Sequence, residues 1–135
     1  MSFCIDGYGA VGPEWFRFEV LTDISKERNR QESLKAAGKF PATCADHGLS
    51  ESIKLCVLTE EVGEVARVLC ERVLCERVCK PESPEASDAK LLEELVQVAA
   101  VATAWAECLK LKAAERRQRE QWLINKPEPV LCPTK

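Results

Sequence analysis

Two stretches carry carboxylates at spacings that suit cation chemistry. The first is Leu58-Thr59-Glu60-Glu61-Val62-Gly63-Glu64-Val65-Ala66-Arg67-Val68-Leu69. Read as a helix, it makes Glu61 and Glu64 neighbours on one face, with Glu60 beside them. The second, Leu91-Leu92-Glu93-Glu94-Leu95-Val96-Gln97-Val98-Ala99-Ala100-Val101-Ala102, repeats the layout 33 residues later with Glu93, Glu94 and Gln97. At about 100° per residue, Leu58, Val62, Val65 and Leu69 form one apolar stripe. Leu91, Leu95, Val98 and Ala102 repeat it. If both stripes share a core, the polar edges face each other and gather five carboxylates and one amide. Like charges this close are unfavourable unless a cation sits among them. A hard divalent ion such as Mg²⁺ takes oxygen ligands and keeps several waters, which suits phosphate chemistry, because it offsets phosphate charge and activates water. One E-x-x-E alone reads as a solvated acidic face; a second copy in matching register is what distinguishes this pair.

The remaining sequence supplies elements to hold the two motif helices. Gly7, Gly9, Gly12 and Pro13 argue for an irregular arm over 1–20, whose Trp15, Phe16 and Phe18 pack on the core or on a second subunit. Thr22 or Asp23 caps a first helix ending near Ala37, with Gly38 as its stop. Its apolar face is thin, so it lies at the surface or lines a cleft. Ser50 caps a second helix reaching about Val78, and Pro81, Pro84 and two serines mark a connection over 80–88. Ser83 before Pro84, or Ser87 before Asp88, starts the third helix, which is expected from about Ala89 to at least Lys110. Alanines 99, 100, 102, 104 and 106 let another helix approach closely. Arg116, Arg117 and Arg119 read as a solvated helix end, and Pro127, Pro129 and Pro133 make 125–135 an extended tail. Within the second helix, Leu69-Cys-Glu-Arg-Val73 is repeated at once as Leu74-Cys-Glu-Arg-Val78. Five residues are not a whole number of turns, so the second copy leaves the first copy's stripe and lengthens the helix end or the loop. No strand pattern survives, and the fold class is all-α.

Whole-chain totals narrow the function. At 135 residues the chain is one domain able to bury its own core. Net charge is −3, which lacks the basic footprint of a nucleic-acid polymer binder. No apolar run reaches membrane-spanning length and the first residues lack a signal-peptide layout, so a cytoplasmic protein is expected. Eight cysteines lack any C-x-x-C and face a single histidine, which reads as structural or incidental thiols. Asp46 and His47 are adjacent in sequence and so are poorly placed to act as an acid–base pair.

With these residues in view, Glu61-x-x-Glu64, a loop, then Glu94-x-x-Gln97 resembles the E-x-x-E, spacer, E-x-x-D signature of the MazG-like all-α nucleoside triphosphate pyrophosphohydrolases. The resemblance covers about residues 24–110. It implies an antiparallel helical bundle, completed by dimerisation or as a dimer of dimers, with Mg²⁺ (or Mn²⁺) held by the motif residues. The implied reaction converts an NTP or dNTP to the monophosphate and pyrophosphate. Carried over by position, Glu61, Glu64 and Glu94 are metal ligands, Gln97 takes the fourth place, and Glu60 with Glu61 directs the attacking water. Gln97 departs from the usual aspartate: it offers a carbonyl oxygen but no charge, so the ligand set falls from four negative charges to three. The tandem pentapeptide also lengthens the spacer to 29 residues. Both features leave room for a bundle that binds nucleotide or a protein partner without turnover. Arg28, Arg30, Lys35 and Lys39 are candidate phosphate contacts, and Gln31, Phe40 and Trp105 candidate base or sugar contacts.

Overall fold

The computed structural model describes residues 12–78 and 84–126, with the side chains of all of these except 75–78 and 85. It consists of α1 (Pro13–Ala36), α2 (Glu51–Val78) and α3 (Pro84–Ile124). All regular secondary structure among the described residues is helical, as the periodicity predicts.

α1 begins well before the expected Thr22 or Asp23 cap. Pro13 occupies the first helical position, where its missing N–H costs nothing and its fixed φ suits the helix, and Glu14 meets the positive helix end. Residues 13–20, expected as an irregular arm, are therefore helical; residues 1–11 lie outside the described ones. Thr22 instead bonds back to the Phe18 carbonyl at 2.9 Å, and Asp23 pairs with Lys26 at 3.0 Å. Trp15, Phe16 and Phe18 are exposed rather than packed on this subunit's core. The other end follows the sequence closely. Gly38 takes φ 70, its N–H meets the Lys35 carbonyl, and Lys39 N–H meets that of Leu34. This paired pattern closes the helix with a left-handed residue that glycine adopts without a Cβ clash.

Ser50 caps α2 as expected, its Oγ accepting the Ile53 N–H at 3.3 Å. The tandem pentapeptides both lie in α2, so the second copy lengthens the helix. α3 starts at Pro84, the earlier of the two expected starts, and continues past Lys110 through the arginines to Ile124. The Pro-rich segment from 127 onward lies outside the described residues.

α3 is the central element, with α1 and α2 packed against it. α2 and α3 form an antiparallel hairpin: Arg72 meets Ser87 and Asp88 near the connection, while Lys54 meets Cys108 far from it. Ala100 and Ala104 are fully buried, and their small side chains admit the neighbouring helices. Cys44, Val101 and Ala104 centre the core, with Val57, Leu58, Leu49 and Trp105 against it. The 39–50 segment is drawn over this core by Asp46, which accepts the Thr43 N–H at 2.8 Å and ion-pairs with Lys35.

The inward faces are rotated from the stripes read in sequence. On α2 the covered row is Lys54, Leu58, Glu61, Val65 and Val68, while Val62 and Leu69 are exposed. On α3, Val101, Ala104 and Cys108 are buried, and Leu95 and Ala102 are exposed. The i, i+3, i+4 spacing serves two adjacent rows at once, and the small α3 residues lie opposite the row that contains Glu61. No described helix is long and apolar enough to cross a membrane.

Candidate functional site

Glu61 lies on the covered row of α2, partly buried. Burial holds its carboxyl above the ordinary carboxylate range, and repulsion from Glu94, Glu60, Glu27 and Glu64 adds to this. Carboxylates from both motif helices thus act electrostatically on Glu61. Glu27 of α1 joins them, a member that motif reading missed. Its signal was the spacing Glu27, Arg30, Gln31, which puts a cation and an amide on the same face of that polar helix.

The surrounding partners divide the cluster. Glu27 accepts both Arg30 Nε at 2.6 Å and Arg30 Nη2 at 2.8 Å, and Gln31 Nε2 donates to it at 3.3 Å. Glu27 raises the Arg30 pKa above its usual value through these bonds, with weaker help from Glu61 and Glu93. Glu64 is forked by Arg67, at 2.6 Å to Nε and 2.5 Å to Nη2, and Arg67 also reaches Glu71. Gln97 Nε2 donates to Glu94 Oε2 at 3.2 Å. Glu60 is exposed at the edge.

Beside this cluster a cleft of about 540 Å³ opens between α1 and α3. Asp23, Glu27 and Arg30 form one wall, and Ala89, Leu92, Glu93, Val96 and Gln97 the other. Its volume lies within the range of small-molecule sites. Leu92 and Val96 give an apolar wall, while Arg30 supplies a cation.

The candidate substrate contacts separate clearly. Arg28 is buried and committed to structure: it meets Glu107 at 2.8 and 3.3 Å, Glu32 at 2.8 Å and Gln31 at 2.9 Å. Gln31 bridges Arg28 and Glu27 and so stands behind the cluster. Trp105 packs on the core and its indole N–H donates to Glu51, which Lys112 also meets at 3.0 Å. Lys39 is exposed just beyond the α1 terminus, as is Phe40. Lys35 is committed to Asp46. His47 does not pair with Asp46; its Nδ1 lies 3.6 Å from Glu115. Of the basic candidates on α1, Arg30 is the one placed in the cleft.

Repulsion from four other carboxylates adds to burial in disfavouring the charged form of Glu61. The side-chain arrangement does not itself form a ligand set: among the described residues, no group of three or more His, Cys, Asp or Glu is positioned to hold a metal ion. Glu64 must leave Arg67 to share an ion with Glu61. Exposed pairs of that kind contribute only about 0.2–1 kcal/mol, so the rearrangement is inexpensive. No protein-family model, curated protein or solved structure matches the chain.

Proposed function

We propose that the chain is a MazG-like pyrophosphohydrolase, cleaving a nucleoside triphosphate to the monophosphate and pyrophosphate. The observation that carries this reading is the raised carboxyl of Glu61, held among like charges beside a cleft that contains Arg30. Glu61, Glu64 and Glu94 would hold Mg²⁺ or Mn²⁺, with the Gln97 carbonyl oxygen available once its amide turns from Glu94. The bound ion would offset phosphate charge and lower the pKa of a coordinated water. Glu60, exposed beside Glu61, takes the proton of the attacking water. The water oxygen bonds to the α-phosphorus as the bond to the bridging oxygen breaks. Arg30 meets the charge that develops on departing pyrophosphate, while Leu92 and Val96 give the nucleoside an apolar wall.

A second copy completes this unit. Val62 and Leu69 on α2 and Leu95 on α3 are exposed large apolar residues on the motif helices, and Trp15, Phe16 and Phe18 add to them. Gathered into one patch, such residues would mark an interaction face, which in this reading a homodimer or tetramer covers.

The reading in which the bundle binds without turnover draws support from Gln97, which is neutral and bonded to Glu94, and from the fork of Arg67 on Glu64. Calorimetric titration with Mn²⁺ and Mg²⁺, with and without a non-hydrolysable triphosphate, separates the two. Metal binding that Glu61→Gln abolishes and Gln97→Asp strengthens supports the enzyme. Nucleotide binding that is indifferent to metal in all three proteins supports the binding module.

A further inference from the structure

Lys54 and Cys108 meet toward the end of the α2–α3 hairpin that is remote from their connection. Lys54 is 0% exposed and Cys108 1% exposed. Lys54 Nζ donates to Cys108 Sγ at 2.8 Å. Cys108 in turn donates its S–H to the Asp46 carbonyl at 3.7 Å. Among the described residues, no carboxylate hydrogen-bonds to this lysine. Burying a lysine end is costly unless it is engaged; here sulfur is its hydrogen-bond partner, and the Asp46 and Glu51 carboxylates act on it from farther away. Sulfur is a large atom, so a nitrogen 2.8 Å from it is close; one bridging oxygen spans such a gap. Exclusion from bulk solvent also keeps water from competing with the nitrogen for an oxidised sulfur.

We propose that Lys54 and Cys108 form an oxidisable amine–thiol pair that peroxide closes into a covalent N–O–S bridge between α2 and α3. One peroxide converts the Cys108 thiol to a sulfenic acid: an S–O bond forms, the O–O bond breaks and water leaves. A second converts the Lys54 amine to the hydroxylamine: an N–O bond forms and another water leaves. Condensation of the hydroxylamine oxygen with the sulfenic sulfur expels a third water, leaving one oxygen between nitrogen and sulfur. The product has gained one oxygen and lost two hydrogens. One dithiol, oxidised to its disulfide, cleaves the O–S bond to give the Cys108 thiol and the Lys54 hydroxylamine; a second takes the hydroxylamine to the amine and releases water. Cys44 is the competing thiol, buried in the same core. Burial, the largest influence on it, holds its thiol up and leaves it a weak nucleophile. The bridge fixes α2 against α3 at one end as their connection does at the other, and so fixes the spacing of the motif helices between.

The test uses the full chain treated with hydrogen peroxide, followed by intact mass and peptide mapping before and after dithiothreitol. The expected result is one oxygen gained and two hydrogens lost, with the Lys54 and Cys108 peptides joined. The join persists in Cys44→Ser, disappears in Cys108→Ser and Lys54→Met, and is reversed by reductant. The oxidised wild type also melts at higher temperature. Because the wild-type map is decisive, poor folding of either variant leaves the test intact. A product lacking only two hydrogens that joins Cys44 to Cys108 would overturn the proposal. So would oxygen on Cys108 with no link to Lys54, or both peptides unmodified in the map made before dithiothreitol.

Discussion

Arg28 and Arg30 stand two positions apart on α1 and differ in burial and partners, and on the proposed reading they have opposite tasks. The Arg28 side chain is 8% exposed and ties α1 to α3 through Glu107, with Glu32 also on its fork. Arg28→Ala removes these charge-assisted bonds, of about 1.5–3 kcal/mol in buried settings, and the packing of the stem. The deserted acids are 44% and 49% exposed and regain water, which offsets part of the loss. The expected destabilisation is about 2 kcal/mol, or roughly a 5–10 °C lower melting temperature for a chain of this size. Arg30 is 54% exposed and its partner Glu27 lies on its own helix, one turn away. Glu27 is only 13% exposed but keeps the Gln31 amide, so Arg30→Ala costs about 1 kcal/mol in stability. Loss of a charge-assisted phosphate contact of about 1.5–3 kcal/mol weakens triphosphate binding roughly ten- to hundredfold. Differential scanning fluorimetry and fluorescence titration with a labelled triphosphate read the two effects separately. Weakened nucleotide binding at unchanged stability in Arg28→Ala, or parental affinity in Arg30→Ala, would refute this division of roles.

Three further outcomes follow from the same contacts. Glu61 has a raised folded-state pKa, so ionising it opposes folding: the advantage of its protonated form is present below the unfolded value and lost as pH rises through the folded one. Glu61→Gln should therefore melt higher than the parent without added metal, by a margin that grows from acid to neutral pH; a margin that is flat or reversed across a pH series contradicts the acidic cluster. The double change Val62→Glu and Leu95→Glu touches exposed positions and should leave the isolated helices folded by circular dichroism, while sedimentation velocity reports a shift from oligomer to monomer. Gly38→Ala places a Cβ at φ 70 and should cost about 1 kcal/mol in urea unfolding; unchanged stability would mean that the α1 terminus is not held as described.

Much of the fold was legible because local signals agreed with tertiary ones. Ser50, Gly38 and the end of α2 near Val78 came from capping chemistry and periodicity, which act within a few residues. The α1 start was missed because glycine and proline ahead of Trp15 read equally as loop and as helix entry; Pro13 at the first helical position decided it. The inward faces were missed for a different reason. Val62 and Leu69 satisfy helical spacing as well as Leu58, Val65 and Val68 do, and only the seating of Ala100 and Ala104 chooses between the rows. At the site, the expected metal-ligand set is not formed among the described residues, but the electrostatic influence of Glu60, Glu64 and Glu94 on Glu61 was readable from two matched motifs. Glu27 was not, since its part depends on where α1 docks along α3. Arg28 and Arg30 likewise looked equivalent until one was buried against Glu107 and the other left in the cleft.

The most direct measurement is turnover of a panel of ribo- and deoxyribonucleoside triphosphates with Mg²⁺ or Mn²⁺, scoring pyrophosphate and orthophosphate separately. Metal-dependent pyrophosphate release with equimolar monophosphate, lost in Glu61→Gln, is the expected result. Absence of pyrophosphate from every nucleotide at high enzyme concentration, in the parent and in Gln97→Asp alike, would contradict it.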